Sequence, residues 1–116
     1  NFPYKESLVK ERENVILEGY KGMEEFYLLN EKERPEAIVI TSSNLSKGAI
    51  EFLKERGDWN VLIVPIIDED IDHSIYVKCP YKEIGRISFE ILEKQIMGAS
   101  VEVVIVKVPL KIKKKL

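Results

Sequence analysis

The sequence predicts an α/β fold of three layers, a mostly parallel sheet with helices on both faces. Three observations predict it. Continuous aliphatic and β-branched runs at 37–40, 60–67 and 101–112 lack the alternation of a half-exposed strand, so each suits a strand buried on both faces. Between the runs, apolar residues recur at helical spacing. Strands and helices that alternate along a chain build parallel sheets through crossover helices.

The elements follow in order. Residues 5–10, after Pro3, form an extended candidate that suits an edge strand or an arm. Residues 12–31 read as a helix with Val15, Ile16, Tyr20, Met23, Phe26 and Tyr27 on one broad face. Gly19 and Gly22 weaken its propensity, so either the helix starts near Leu17 or a neighbour packs closely there. The strand at 37–40 runs into Thr41, Ser42, Ser43 and Asn44, whose side chains suit a helix cap. Leu45, Ala49, Phe52 and Leu53 then repeat at helical spacing until Gly57 offers a left-handed stop. The run at 60–67 is the next parallel strand, with regular pairing expected to end near Val64 because Pro65 lacks a donor. A short strand at 74–79 leads to Pro80 as the first residue of a helix carrying Ile84, Ile87, Ile91, Leu92 and Ile96, closed by Gly98. The last strand spans 101–112 with a bend at Pro109, and KIKKKL reads as a solvated end.

Composition narrows the function classes. The chain has 116 residues, enough for one core, and is expected to be one α/β domain across 1–116. A net charge of −2 gives no pull toward nucleic acid or anionic lipid. No apolar run approaches the roughly 20 residues that cross a bilayer, and NFPYKESL has no signal-peptide core, so no membrane partner is expected. A lone cysteine fits a reducing compartment, and the expected location is cytoplasmic. The start at Asn1 suggests a piece of a longer protein. Abundant Glu, Lys, Ile and Val with one Gln resembles the composition of thermophile proteins.

Ligand sites of parallel sheets sit at the carboxyl ends of the strands, which singles out Ser42, Ser43 and Asn44 after the first strand and Asp68 after the second. Asp68, Glu69, Asp70, Asp72 and His73 are rich in oxygen donors, but their spacing matches no calcium loop and supplies no paired zinc ligands; a solvated acidic loop is the better reading. Cys79 has no base beside it and reads as a buried structural thiol. No phosphate-cradling or hydrolase motif occurs, so neither cofactor nor enzymatic activity is expected.

Four segments together resemble the core domain of LacI/GalR transcriptional regulators, which have the periplasmic-binding-protein type 1 fold. RPEAIVITSSNLSKGAIEFLKERG is similar to the family segment in which Pro-Thr-Ala-Ile leads a strand into an Asn-Asp turn and an Ala-x-Gly-Ala helix. VLIVPIIDED resembles the strand ending in Gly-Phe-Asp-Asp. SIYVKCPYKEIGRISFEILEKQIMG resembles Leu-Thr-Thr-Val-x-Gln-Pro and its helix, and VVIVKVPLKI resembles the closing Leu-Pro-x-x-Leu-Val. GYKGMEEFYLLNEKERP matches the preceding family helix, so the resemblance covers about residues 16–112.

The resemblance implies the C-terminal lobe of a core that senses a small effector, typically a sugar, and dimerises. Operator DNA would be bound only through an N-terminal domain outside this chain. A sugar-binding component of an ABC transporter shares the fold and is the alternative. Departures accompany the matches: the family's ligand-binding Asn and Asp fall on Ser42 and Ser43, its Gln on Cys79, and an apolar dimer-interface position on Lys47. The helix at 81–97 packs, in the family, on the other lobe. A homodimer in which this helix takes part is therefore expected of the lobe alone.

Overall fold

Strand β1, Ala37–Ile40, turns directly into helix α2, Ser43–Arg56, and strand β2, Leu62–Ile67, follows. This is the unit that residues 37–67 predict, in a computed structural model that describes residues 3–100 and 111–114. β1 and β2 pair in parallel, Ile38 beside Ile63 and Val39 beside Val64. Ser42 caps α2 by accepting a hydrogen bond from the Leu45 amide at 3.3 Å. Gly57 ends the helix at φ 63°, in the left-handed region that glycine enters without strain.

Ahead of this unit lies helix α1, Ile16–Leu28, and after it come strand β3, Ile75–Lys78, helix α3, Tyr81–Ile96, and strand β4, Lys111–Lys114. The strands lie in the order β1-β2-β3-β4. The first three are parallel, and β4 runs antiparallel to β3. Among the described residues the structure is α/β, with three parallel strands, one antiparallel strand beside them and three α-helices.

The core forms on one face of the sheet. Met23, Phe26 and Tyr27 of α1 and Ala49, Ile50, Phe52 and Leu53 of α2 cluster with Val61 and Ile63, and Ile38 and Ile40 pack beneath them. Tyr20 and Tyr27 each meet the Phe52 ring edge-on, with centroids 5.1 Å apart. α1 and α2 touch backbone to backbone: a Cβ on Gly19 would overlap the Leu45 carbonyl, and one on Gly48 would overlap the Ile16 carbonyl. Both readings of the α1 glycines hold in part, since the helix starts at Ile16 and a neighbour does pack closely, at Gly19 only.

Residues 5–10, open between an edge strand and an arm, form a single tight turn, Glu6–Leu8, between extended residues. Three expectations change. β2 continues past Val64 because Pro65 stands where one ladder hands over to the other: pairing with β1 ends at Pro65, and pairing with β3 begins at Ile66, so no donor is missed. Pro80 caps α3 from outside the helix. Part of the terminal lysine-rich segment is in the sheet: Lys111–Lys114 pairs antiparallel with Ile75–Lys78. Of the strand expected at 101–112, residues 101–110 lie outside those described.

The second face of the sheet carries no helix among the described residues. Val39, Leu62 and Ile112 stand 63%, 49% and 65% exposed there, and Val64, Ile66 and Val77 are half-buried beside them. Register puts these side chains on one face, because aligned neighbours point the same way. Among the described residues the core is layered on one side of the sheet, and the second layer of helices expected from the sequence is not seen there.

Tyr27 ties α1 to the end of α2. Its hydroxyl donates to Asp58 at 2.8 Å, and the guanidiniums of Arg34 and Arg56 lie over its ring. Burial first, and then the bond to Asp58, push its hydroxyl from 10.0 up to about 12. A raised folded value means that the neutral form is favoured on folding, so this contribution is complete below pH 10 and disappears as pH rises to about 12. Urea midpoints measured at stepped alkaline pH should fall across that window, and Tyr27→Phe should flatten the fall.

Candidate functional site

Three parallel strands end along one edge, and the residues that follow them converge. Ser42 and Ser43 follow β1, Asp68 and Glu69 follow β2, and Tyr81 lies just beyond β3. With Asn14, Thr41, Asn44 and Ile66 they surround an open, polar cavity of about 360 Å³. Ser42, Ser43, Asn44 and Asp68, the four residues singled out by strand order, therefore share one cavity.

Each wall is held by a specific bond. Ser43 Oγ donates to Asp68 Oδ1 at 3.0 Å, linking the ends of β1 and β2. Asn44 Nδ2 donates to the Asn14 carbonyl at 3.1 Å, and Ser42 Oγ donates to Asn14 Oδ1, so the segment before α1 closes one side. Ser46 Oγ, fully buried, donates back to the Ser42 carbonyl at 2.7 Å and stiffens the turn. Lys47 Nζ pairs with Glu69 Oε1 at 2.7 Å at the rim. Asp68 lies beside the N-terminal turn of α2, where the helix dipole favours a carboxylate.

Cys79 first, then partial burial and Asp68, raise the Tyr81 hydroxyl above its ordinary range, and its protonated hydroxyl can donate. Its ring is 55% exposed and forms the apolar part of the wall with Ile66. The cavity thus offers carboxylate and amide acceptors, hydroxyls that both donate and accept, and one aromatic face. That set suits a small ligand with several hydroxyl or amine donors, and the Asp68 carboxylate disfavours an anionic one.

The rest of the acidic loop is partnered within the fold. Asp70 accepts from the Tyr76 hydroxyl at 2.6 Å and pairs with Lys78 at 3.0 Å. His73 Nε2 reaches the Ile63 carbonyl at 2.8 Å. Among the described residues no three His, Cys, Asp or Glu side chains are placed to hold a metal ion. Cys79 is half-buried at the sheet edge, not enclosed in the core as its type suggests, because β3 ends before it; its amide donates to the Ile67 carbonyl at 2.6 Å and its carbonyl accepts from the Tyr81 amide at 3.0 Å.

Strand order missed Asn14, Glu69 and Tyr81. Tyr81 was reachable by the same rule, since it follows the third parallel strand. Glu69 adjoins Asp68. Asn14 sits far from the sheet in sequence, and no local signal marks it. No helix among the described residues is long and apolar enough to cross a membrane. Compared with protein-family models and with curated proteins, the chain matches none.

Proposed function

We propose that this chain is the C-terminal lobe of an effector-binding core in a LacI/GalR-type regulator, with the three-layer architecture of the periplasmic-binding-protein type 1 fold. The reading is of a cytoplasmic sensor and not an enzyme. Its effector is a small molecule, a sugar or a related metabolite; operator DNA is contacted through a separate N-terminal domain, and a second copy is the partner in a homodimer. The observation that supports it is the convergence of Ser42, Ser43, Asn44 and Asp68 on one polar cavity at the carboxyl edge of the parallel strands. The resemblance brings the family's ligand residues to the same turn.

The carboxylates refine the ligand class. A neutral polyhydroxylated ligand, or one with an amine, matches the acceptor at Asp68, while a phosphorylated sugar meets like charge there; the charge of Glu69 is already offset by Lys47. Calorimetric titration with monosaccharides, polyols, nucleosides and sugar phosphates tests this. The expected result is binding of a neutral or aminated compound that Ser42→Ala and Asp68→Ala each weaken about tenfold or more, the loss of one or two good hydrogen bonds. Titrations that Ser42→Ala and Asp68→Ala leave unchanged would sink the functional reading, and the α/β fold would stand.

A further inference from the structure

Among the described residues two large apolar surfaces have no cover, and they match each other. One is the open face of the sheet, across Val39, Leu62, Val64, Ile66, Val77 and Ile112. The other is one side of α3. Ile84, Phe89, Leu92 and Ile96 are exposed by 37%, 65%, 51% and 77%, and no residue of the helix is buried. Lys82, Glu83, Arg86, Glu90 and Lys94 occupy the opposite side, where Arg86 bridges Glu83 and Glu90. Such a helix is built to lie on an apolar surface.

We infer that the open sheet face of one copy receives α3 of a second copy, and that the contact is made twice in a symmetric dimer. Four observations commit the surface to this occupant. First, α3 is not packed into the core: no residue of the helix is buried and none joins the core cluster, and the radius of gyration of 18.1 Å exceeds the about 13 Å of a compact chain of this size. Second, the sizes agree. Sixteen residues make a helix about 24 Å long, and four strands span roughly 15 to 20 Å. Third, both surfaces are free of charge at their centres, so neither leaves a buried ion when they close. Fourth, a helix face about 24 Å by 10 Å, counted on both partners and made twice, comes to on the order of 1,000 Å², the size at which specific interfaces become stable. Exchange of one element between identical copies leaves no apolar face over and closes the assembly at two. The inference deepens the homodimer part of the proposed function and rests on it there; it touches the effector cavity only at Ile66, while Ser42, Ser43, Asn44 and Asp68 take no part, so loss of the dimer and loss of ligand binding are read by separate experiments.

Sedimentation equilibrium of the 116-residue chain over a concentration series reads the outcome. The expected result is a reversible dimer. Leu92→Glu on the helix and Leu62→Glu on the sheet should each weaken it by about 100-fold or more, since each charge enters the interface twice. Both side chains lie outside the core, so circular dichroism should show each variant folded. Mixing supplies the decisive comparison. A Leu92→Glu copy keeps a good sheet face and a Leu62→Glu copy keeps a good helix, so the mixture should associate more tightly than either variant alone. A monomer at every concentration overturns the inference, whether α3 is protected from hydrogen exchange by folding back or is not. A dimer indifferent to Leu62→Glu, or to Leu92→Glu, or a mixture no tighter than its parts, overturns it equally by pointing to helix-on-helix or sheet-on-sheet contact.

Discussion

Gly48→Ala should destabilise the protein by at least about 3 kcal/mol, a large share of the roughly 5 to 15 kcal/mol that holds a typical domain together. The added methyl has nowhere to go. It would overlap the Ile16 carbonyl and crowd the Tyr20 amide, and neither can move without shifting α1 as a body. Gly19→Ala meets the Leu45 carbonyl and should cost as much. Gly22 lies one turn along the same helix and is the control: nothing stands within 4 Å of a Cβ built there, and alanine should gain up to about 1 kcal/mol from helix propensity. Thermal melts should show Gly48→Ala falling by about 10 to 20 °C while Gly22→Ala stays level or rises. Equal effects at Gly22 and Gly48 would mean that the glycines act through the unfolded chain and not through the helix crossing.

Phe52→Ala should cost about 3 to 5 kcal/mol. The ring is 4% exposed and sits between Tyr20 and Tyr27, with the Arg56 guanidinium over it. Removing it opens a cavity at the seam of α1 and α2 and also removes two edge-to-face contacts, worth about 0.5 to 1.5 kcal/mol each. Phe52→Leu keeps most of the volume and none of the ring geometry, so it should lose distinctly less. Urea denaturation with an unchanged slope checks both variants. If leucine and alanine cost the same, volume is not what this position supplies.

What the sequence made legible was local in origin. A β-branched run, a serine cap and a glycine stop are neighbours in the chain, and β1, Ser42, α2 and Gly57 fall where they were expected. The candidate site was legible to the same depth, because Ser42, Ser43, Asn44 and Asp68 each follow a strand directly. Features set by another part of the chain were not. A glycine at position 19 announces a close approach without naming Gly48 and Leu45 as the neighbours. Pro65 looks like a stop until the strands on its two sides are known to hand over at that point. Asn14 joins the cavity only because α1 docks on α2. The lysines at 111 and 113–114 outweighed the alternation around Ile112, and charge was read as solvent where a strand forms. Apolar side chains on both faces of β2 implied two covering layers, but the pattern cannot say which element supplies the second.

The pairing of β3 with β4 bears on the order in which the chain assembles. Ile75–Lys78 and Lys111–Lys114 are adjacent in the sheet, yet residues 79–110 lie between them. β1, α2 and β2 are joined by short connections and close their contacts at small entropic cost, whereas β4 must wait for a long stretch of chain to be gathered in. The α1-β1-α2-β2 block should therefore form first, with the last strand added late through a few rungs that open without disturbing it. Native-state hydrogen exchange should find the β4 amides opening at the lowest free energy of any strand, well below that of the amides around Leu53 and Ile63.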